Sequence, residues 1–387
     1  CTIGERSRRS AFRRVSQGGE AQMQFRRVED SQVVGLAGRY RGAEGAVDIM
    51  KQGKLPHDLL ADLLGRLPAR DPRVIVGPRV GEDAAAVRVG DRLIVVGMDP
   101  ITFATDLIGW YAVQVNANDI AVMGAEPKWL LATLLLPQEA TEDEAASVFD
   151  QLVEACEELG IAPIGGHTEV TSSVGRPVVV GCMLGEMDPE RLVTTEGARP
   201  GDAVILCGPA AIEGTALLAR EMGELLREKG MGEDAVARAR NFLFDPGISV
   251  VSAARAAAEV GVTAMHDPTE GGIATGLLEL ALASKVGLEI DAGRIPVLPL
   301  TREVCSRLGV DPLGLIASGA LLMTVRPEEA EGMLGALRGL GREAAVVGRA
   351  LPESEGLSLV VEGKRQPLPR FSRDEVARLF EEAGERD

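Results

Sequence analysis

The chain has 387 residues, of which 45% are hydrophobic and 3% aromatic, and this length is enough for two hydrophobic cores of ordinary size. Its net charge of −17 at pH 7 argues against nucleic acid or an anionic membrane as a partner, because phosphate groups are bound through an excess of Lys and Arg. An acidic pocket could still hold a nucleotide through magnesium.

The cysteines are spread along the chain without close pairs, which disfavours both a zinc cluster and a disulfide framework. They are Cys1, Cys156, Cys182, Cys207 and Cys305. No apolar run approaches the roughly 20 residues that cross a bilayer. We therefore expect a soluble, cytoplasmic protein.

Residues 1–49 differ from the rest of the chain, since they carry nine arginines and six acidic residues without a sustained apolar period. A transit peptide is disfavoured, because such peptides avoid acids and this stretch contains Glu20, Glu29 and Asp30. The interpretation is a flexible, arginine-rich extension, or sequence translated ahead of a start at Met50.

From Met50 onward, helical and strand patterns alternate. Predicted helices include LPHDLLADLLGRL, GWYAVQVNANDIAVMGA and EDEAASVFDQLVEACEELG, and predicted strands include DRLIVVGMD, WLLATLLLP and PVVVGCMLGEM. A turn into a new strand, EGARPGDAVILCGP, places a boundary between residues 194 and 201. The pattern predicts an α/β protein with domains at 50–193 and 194–365 and a C-terminal helix at 366–387.

Acidic side chains stand at two strand boundaries. The turn GPRVGEDAAAV places Glu82 and Asp83 after Gly81 and before an apolar strand, and Asp99 ends the next strand. Carboxylate oxygens suit magnesium. A surface turn and a turn cap are the structural alternatives.

The predicted helix at NANDIAVMGA carries Asn116, Asn118 and Asp119 among apolar residues. Polar groups on a half-buried helix need partners, and a metal–phosphate cluster would supply them. An internal hydrogen-bond network is the alternative of equal weight.

Two glycine pairs lie beside side chains able to bind a metal or an anion. Gly165 and Gly166 precede His167 in GGHTEV, and Gly271 and Gly272 follow a strand that ends at His266 and Asp267 in HDPTEGGIA. The second pair opens a helix, whose N-terminus can meet a phosphate or a reacting oxygen.

Taken together, GEDAAAV, Asp99, NDIAVMGAEP, GGHTEV and HDPTEGGIA resemble, in order and approximate spacing, the superfamily of aminoimidazole ribonucleotide (AIR) synthetase, HypE, selenophosphate synthetase and thiamine-monophosphate kinase. The resemblance covers nearly everything after Met50 and is strongest to HypE. It implies a PurM-like fold, in which two α/β domains each pack helices on a mixed β-sheet. It also implies ATP and Mg²⁺ in a groove between the domains, and a homodimer joined through the N-terminal sheets.

The resemblance assigns roles residue by residue. It implies that the residues contacting nucleotide phosphates or their metal are Gly81, Asp83, Asp99, Asn118, Asp119, Gly165, Gly166, Asp267, Gly271 and Gly272. It implies that the metal ligands are Asp83, Asp119 and Asp267. His266 and His167 are candidate catalytic groups, with a packed neutral histidine as the alternative for each.

The chain departs from HypE at two places. HypE typically reads GGDT where this chain reads GGHT, so that an imidazole replaces a probable magnesium ligand at His167. HypE acts on its own C-terminal cysteine, and no cysteine follows Cys305 in this sequence. The cysteine that a selenophosphate synthetase carries near a glycine-rich N-terminal loop is not seen either.

The leading functional prediction is an ATP- and Mg²⁺-dependent enzyme that activates a carbonyl or amide oxygen of a small molecule by phosphorylation. The alternatives are a kinase of the thiamine-monophosphate type and a non-catalytic, nucleotide-binding assembly factor. Near the C-terminus, Ser372 and Glu375 have capping-box spacing, and Val376, Leu379 and Phe380 share one helical face, which predicts a packed helix.

Overall fold

The computed structural model describes residues 53–68, 71–104 and 106–384. The predicted extension at 1–49 lies outside these ranges. The described residues belong to one compact unit. No helix in the described ranges is long and apolar enough to cross a membrane.

Helices and strands alternate through most of the described chain. The helices are α1 His57–Leu64, α2 Ile108–Val122, α3 Glu142–Leu159, α4 Ile212–Glu221, α5 Gly223–Glu228, α6 Glu233–Arg240, α7 Val251–Val260, α8 Gly272–Ser284, α9 Pro299–Leu308, α10 Ala330–Gly339 and α11 Glu375–Gly384. The strands are β1 Val74–Val76, β2 Ala85–Val89, β3 Arg92–Ile101, β4 Glu126–Leu136, β5 Ala162–Val170, β6 Val178–Met187, β7 Ala203–Cys207, β8 Ala264–His266, β9 Val286–Asp291, β10 Leu321–Val325, β11 Ala344–Pro352, β12 Leu357–Val361 and β13 Lys364–Pro367.

The first sheet has the strand order β1-β2-β3-β6-β4-β5. Only the β4–β5 pair is parallel among the described pairings of this sheet. In β6, buried residues alternate with half-buried ones along the whole strand, because successive side chains point to opposite faces. Helix α2 packs on the buried face.

The second sheet has the order β13-β12-β9-β11-β7-β10-β8 and mixes one parallel pair, β9–β12, with antiparallel pairs. Every residue of β7 and of β10 is buried. Their continuous apolar runs fit strands that are covered on both faces. The mixed α/β class with two sheets packed by helices is confirmed.

Helix α2 is buried along all fifteen of its residues, although the sequence suggested a half-buried helix. Most of its residues are apolar, and small ones such as Ala112, Ala117 and Ala121 allow close packing. Ala121 packs in one apolar cluster with Ala203 and Ile205 of β7. The hydrophobic core therefore continues across the predicted boundary at 194–201, which lies between β6 and β7.

The C-terminal helix begins later than the sequence suggested. Residues 366–367 end β13, and α11 begins at Glu375. The backbone amide of Val376 donates to Asp374 Oδ1 at 2.7 Å, so Asp374 caps the helix in place of the predicted Ser372. Val376 and Leu379 of this helix are buried.

Candidate functional site

A cavity of about 300 Å³ collects acidic side chains that are distant in the sequence. Its walls come from the segment before α1, the turn at Gly81, β3, α2, β8 and α8. The carboxylates that line it are Glu82, Asp83, Asp99, Asp119, Asp267 and Glu279. Five of the predicted site residues, Gly81, Asp83, Asp99, Asp119 and Asp267, are thus brought together with His266.

His266 lies between two carboxylates and is 4% exposed. Its Nδ1 is 2.7 Å from Asp83 Oδ1, and its Nε2 is 3.1 Å from Glu279 Oε2. Burial alone would lower the pKa of His266, but the two carboxylates raise it well above its usual value. The charged imidazolium therefore holds Asp83 and Glu279 in place, which is a positioning role rather than that of a free acid or base.

Asp267 lines the cavity with an unsatisfied carboxylate. It is 2% exposed, and neither of its oxygens has a hydrogen-bond partner among the described residues. Burial raises the pKa of Asp267 well above its usual value, and Asp83 adds to the rise. The pKa of Asp119 is raised in the same way, by burial and then by Asp99 and Asp267. This concentration of negative charge is costly unless a cation offsets it.

The position of Asp99 is fixed through its backbone. The amide of Asp99 donates to Asn116 Oδ1 at 2.9 Å, and Asn116 Nδ2 donates to the Asp99 carbonyl oxygen at 3.3 Å. A Cβ added at Gly97 would lie 3.3 Å from Asp119 Cβ, so the glycine lets α2 approach β3. Burial raises the pKa of Asp99 to about 6, and Glu270 contributes to the rise.

Asn118 faces away from the carboxylates. Its Nδ2 donates to the Ile248 carbonyl oxygen at 2.9 Å, and its Oδ1 accepts from the Val250 amide at 2.8 Å. Both polar atoms therefore join α2 to the segment before α7. Asn116 and Asn118 therefore take part in internal hydrogen bonds, which was one of the two interpretations of this helix from the sequence.

The glycine pair before α8 is required by close packing. Gly271 and Gly272 have φ values of 80° and 65°, which other residues rarely adopt, and a Cβ at Gly272 would lie 2.6 Å from the Leu313 carbonyl oxygen. The Gly271 amide donates to Asp374 Oδ2 at 2.7 Å, and the Gly272 amide donates to the Thr269 carbonyl oxygen at 3.0 Å. A phosphate would reach these amides only in exchange for those bonds.

The other glycine pair lies in the edge strand β5, whose nine residues are all exposed. Gly166 of β5 is paired with Ala132 of β4, Ala132 with Gly181 of β6, and Gly181 with Asp99 of β3. Three strand spacings, about 14 Å, therefore separate it from the cavity. A Cβ at Gly166 would lie 1.9 Å from the Ala132 carbonyl oxygen. The side chain of His167 is 64% exposed, and its Nε2 lies 3.3 Å from Glu169 Oε2. Within a single chain, Gly165, Gly166 and His167 therefore lie outside the acidic cavity.

The chain matches the description "AIR synthase related protein, N-terminal domain" at residues 81–187 and "AIR synthase related protein, C-terminal domain" at residues 199–360. It is 32% identical to carbamoyl dehydratase HypE of Rhizobium leguminosarum bv. viciae over 295 residues, which cover 71% of this chain and 78% of the relative. The chain belongs to the AIR synthase-related family. It is also 29% identical to the carbamoyl dehydratase HypE of Escherichia coli, over 71% of this chain and 81% of the relative.

Solved structures agree with this PurM-like assignment. The crystal structure of E. coli HypE matches with a TM-score of 0.65 and 25% identity, over 83% of this chain and 98% of that chain. A ThiL protein complexed with AMPPCP and TMP matches with a TM-score of 0.63 and 22% identity, over 82% and 94%. A HypE in complex with ATP matches with a TM-score of 0.63 and 24% identity, over 81% and 91%. At these identities, the ThiL and ATP-complex matches show the shared fold.

Sequence reasoning missed three residues of the candidate site. Lys54 Nζ lies 3.2 Å from both Thr269 Oγ1 and Glu270 Oε2, and no motif marks a lone lysine ahead of a helix. Glu279 pairs with His266. It could have been found from the sequence, because it is an acidic residue within the apolar helical pattern GLLELA, and the same kind of pattern identified Asp119. Thr195 bonds to Glu82 and Asp83 at 3.4 Å each.

Proposed function

We propose that this AIR synthase-related protein is an ATP- and Mg²⁺-dependent enzyme that phosphorylates a carbonyl or amide oxygen of a small substrate. The observation that carries the proposal is the unpartnered, buried carboxylate of Asp267, which lines one cavity with Asp83, Asp99 and Asp119. A HypE bound to ATP and a ThiL protein bound to AMPPCP share the fold, which supports a nucleotide in this cavity.

The side chains present fit magnesium. Their donors are carboxylate oxygens, which hard cations prefer, and Asp267 leaves two of them without a partner. Among the described residues, no three His, Cys, Asp or Glu side chains are spaced to hold one ion together. Magnesium keeps several waters and is usually bound by one or two carboxylates together with substrate phosphates. We therefore propose Asp83, Asp119 and Asp267 as ligands that more than one magnesium ion shares, with at most two of these carboxylates on each ion.

The chain's own residues prepare the phosphoryl transfer mainly by positioning. Bound magnesium would neutralise charge on the phosphates. His266 fixes Asp83, and Asn116 fixes Asp99 relative to α2. Lys54, which faces the cavity beside Glu270, supplies a positive charge for a phosphate oxygen. In the proposed step, the substrate oxygen forms a bond to the γ-phosphorus while the bond from that phosphorus to the bridging oxygen breaks, and ADP leaves.

The first sheet provides support for a homodimer. Its outer face exposes Met98 on β3 and Leu131 on β4, which are 64% and 37% exposed and are both paired with Cys182 of the intervening strand β6. The edge strand β5 carries a further exposed apolar residue, Ile164, which is 55% exposed. A contiguous apolar face usually marks an interaction surface, and a second copy of the same sheet is the proposed occupant. In such a dimer, GGHT of β5 would face the partner rather than its own cavity.

The test begins with a metabolite extract that is incubated with the protein, Mg²⁺ and ATP and then analysed by mass spectrometry. A substrate found in this way is resynthesised with ¹⁸O in its carbonyl group. Oxygen activation predicts ADP and ¹⁸O-labelled inorganic phosphate. A stable phosphorylated product without released phosphate would show a kinase instead, and the absence of ATP turnover with every fraction would favour a non-catalytic assembly factor.

A further inference from the structure

A groove with a volume of about 430 Å³ lies where α10 turns into β11. We call it the arginine groove, because Arg338 and Arg342 line it. Pro296 and Leu334 give it apolar walls, and Glu343 also lines it. None of these residues belongs to the acidic cavity, whose lining carries an excess of carboxylates. The arginine groove is therefore a separate space whose lining has the opposite sign of charge.

Arg342 is fixed at the groove without being neutralised. Its Nη1 donates to the Pro246 carbonyl oxygen at 3.2 Å, and its Nη2 donates to the Ser249 carbonyl oxygen at 2.9 Å. Carbonyl oxygens orient the guanidinium group but carry no net charge, and Arg342 has no carboxylate partner among the described residues. Its positive charge is therefore held in one place and stays available to an anion.

Arg338 supplies a second guanidinium group. It is exposed, and its side chain has neither a hydrogen-bond nor an ion-pair partner among the described residues. With Glu343 as the acidic residue of the lining, two guanidinium groups and one carboxylate leave one net positive charge. A single carboxylate group of a ligand would neutralise this charge and can accept two parallel N–H bonds from a guanidinium. A phosphate ester, with a charge of about −2, would exceed it.

A short segment, residues 246–250, connects the arginine groove with α2. From the side of the groove, Arg342 binds two of its carbonyl oxygens. From the other side, the side chain of Asn118 donates one hydrogen bond to this segment at 2.9 Å and accepts one from it at 2.8 Å. The next residue of α2 is Asp119, which lines the acidic cavity. Hydrogen bonds therefore link the groove to the cavity through this one segment.

We propose that the arginine groove is an effector site for a small organic carboxylate. The carboxylate group pairs with Arg338 and Arg342, and the apolar body of the ligand packs against Pro296 and Leu334. A ligand bound to Arg342 makes the segment 246–250 harder to open, and this segment positions α2. The inference goes beyond the proposed function, since the carboxylate needs neither ATP nor Mg²⁺ in order to bind.

The first test compares benzoate with benzamide, which match in size and differ in charge. Saturation-transfer NMR on the full chain, with a chelator present to remove divalent metal, detects each probe through its ring protons. We expect transfer to benzoate and none to benzamide at equal concentration. Transfer of equal strength to both probes, or none to benzoate, would overturn the proposal.

Two substitutions in the groove should change the affinity for benzoate in opposite directions. Arg338→Gln should weaken binding by about tenfold, because a charge-assisted hydrogen bond is lost. Glu343→Gln should strengthen it by about twofold, because an exposed negative charge is removed. Arg88→Gln is the matched control, since it changes an exposed arginine on β2 of the first sheet and should leave benzoate binding unaltered. A folded Arg338→Gln protein that binds benzoate as well as Arg88→Gln does would contradict the site.

Coupling to α2 is tested by hydrogen–deuterium exchange on the same full chain. With benzoate at about ten times its dissociation constant, exchange in residues 246–250 should slow by about tenfold, because opening of this segment releases Arg342 and requires loss of the ligand. Exchange in α3, which contributes no residue to the groove, should not change. Benzoate binding with unchanged exchange in 246–250 would overturn the effector role. Absence of Mg²⁺-dependent ATP binding, with both benzoate results retained, would count against the proposed function alone.

Discussion

The backbone amide of Gly271 donates a hydrogen bond to Asp374 Oδ2 at 2.7 Å. Asp374 also caps α11 through Val376, so one carboxylate joins the starts of two helices that lie about a hundred positions apart in the sequence. The sequence predicted that Gly271 contacts a phosphate. In the structure, its backbone amide instead donates to the carboxylate of Asp374 in the C-terminal segment. The C-terminal helix is thereby tied directly to the end of the cavity.

Asp374→Ala should lower the free energy of unfolding by about 2–3 kcal/mol, because it leaves two buried backbone amides without acceptors. Urea denaturation followed by circular dichroism measures this change. Asp291→Ala is the control, since Asp291 accepts one amide bond, from Gly293, near the surface, and should cost less than about 1 kcal/mol. Equal losses in both variants would show that burial of the Asp374 bonds contributes nothing.

Glu82→Gln should become more stable relative to the unaltered protein as the pH rises. Burial, and then Asp83, raises the pKa of Glu82 from 4.5 to about 7. Between those values the folded state binds more protons than the unfolded state, so the carboxylate lowers stability as it ionises, and the glutamine does not. Since Glu82 is partly exposed, we expect a relative gain of about 1–2 kcal/mol.

The measurement is the free energy of unfolding at pH 4.5 and pH 7.5 in the absence of Mg²⁺. The control is Glu190→Gln, which changes an exposed glutamate and should keep a constant difference from the unaltered protein. A Glu82→Gln difference that is the same at both pH values would contradict the raised pKa.

His266→Asn should lower the free energy of unfolding by about 3–5 kcal/mol, because it leaves the buried carboxylates of Asp83 and Glu279 without their shared positive charge. Thermal and urea unfolding report the loss. His167→Asn changes the exposed histidine of β5, and its effect should stay within about 0.5 kcal/mol. Similar small effects in both variants would mean that His266 is not the cation of an ion-paired cluster.

The contrast between the two histidines shows how far sequence reasoning reached. The secondary structure was predictable where apolar residues form a local pattern, as in β7, β10 and α2. Three cavity residues were predictable because acidic side chains stand beside a strand or within an apolar helix, as Asp83, Asp99 and Asp119 do. The position of GGHT was not predictable in the same way, because strand order is decided by tertiary pairing and places β5 at the edge of its sheet. Lys54 and Asp374 reach the site from distant segments, and local patterns do not encode such contacts.

Met98→Glu and Leu131→Glu should each convert a homodimer into a monomer, because each buries a charge at the apolar face of the first sheet. Light scattering during size exclusion should give twice the chain mass for the unaltered protein and a single chain mass for the variants. Leu340→Glu changes another leucine, which is 48% exposed and follows α10, and should remain dimeric. Elution of the unaltered protein as a monomer at every concentration would contradict the proposed dimer.

The acidic cavity is tested most directly by calorimetric titration of ATP, with Mg²⁺ and with a chelator in its place, into the unaltered protein and Asp267→Asn. We expect binding that requires Mg²⁺ and that Asp267→Asn abolishes, while the melting temperature of the variant without Mg²⁺ stays about the same, because an uncharged amide replaces a buried carboxyl group of the same shape that has no hydrogen-bond partner. ATP binding of equal strength without Mg²⁺, or unchanged binding by a folded Asp267→Asn, would contradict the assignment of this cavity as a magnesium–nucleotide site.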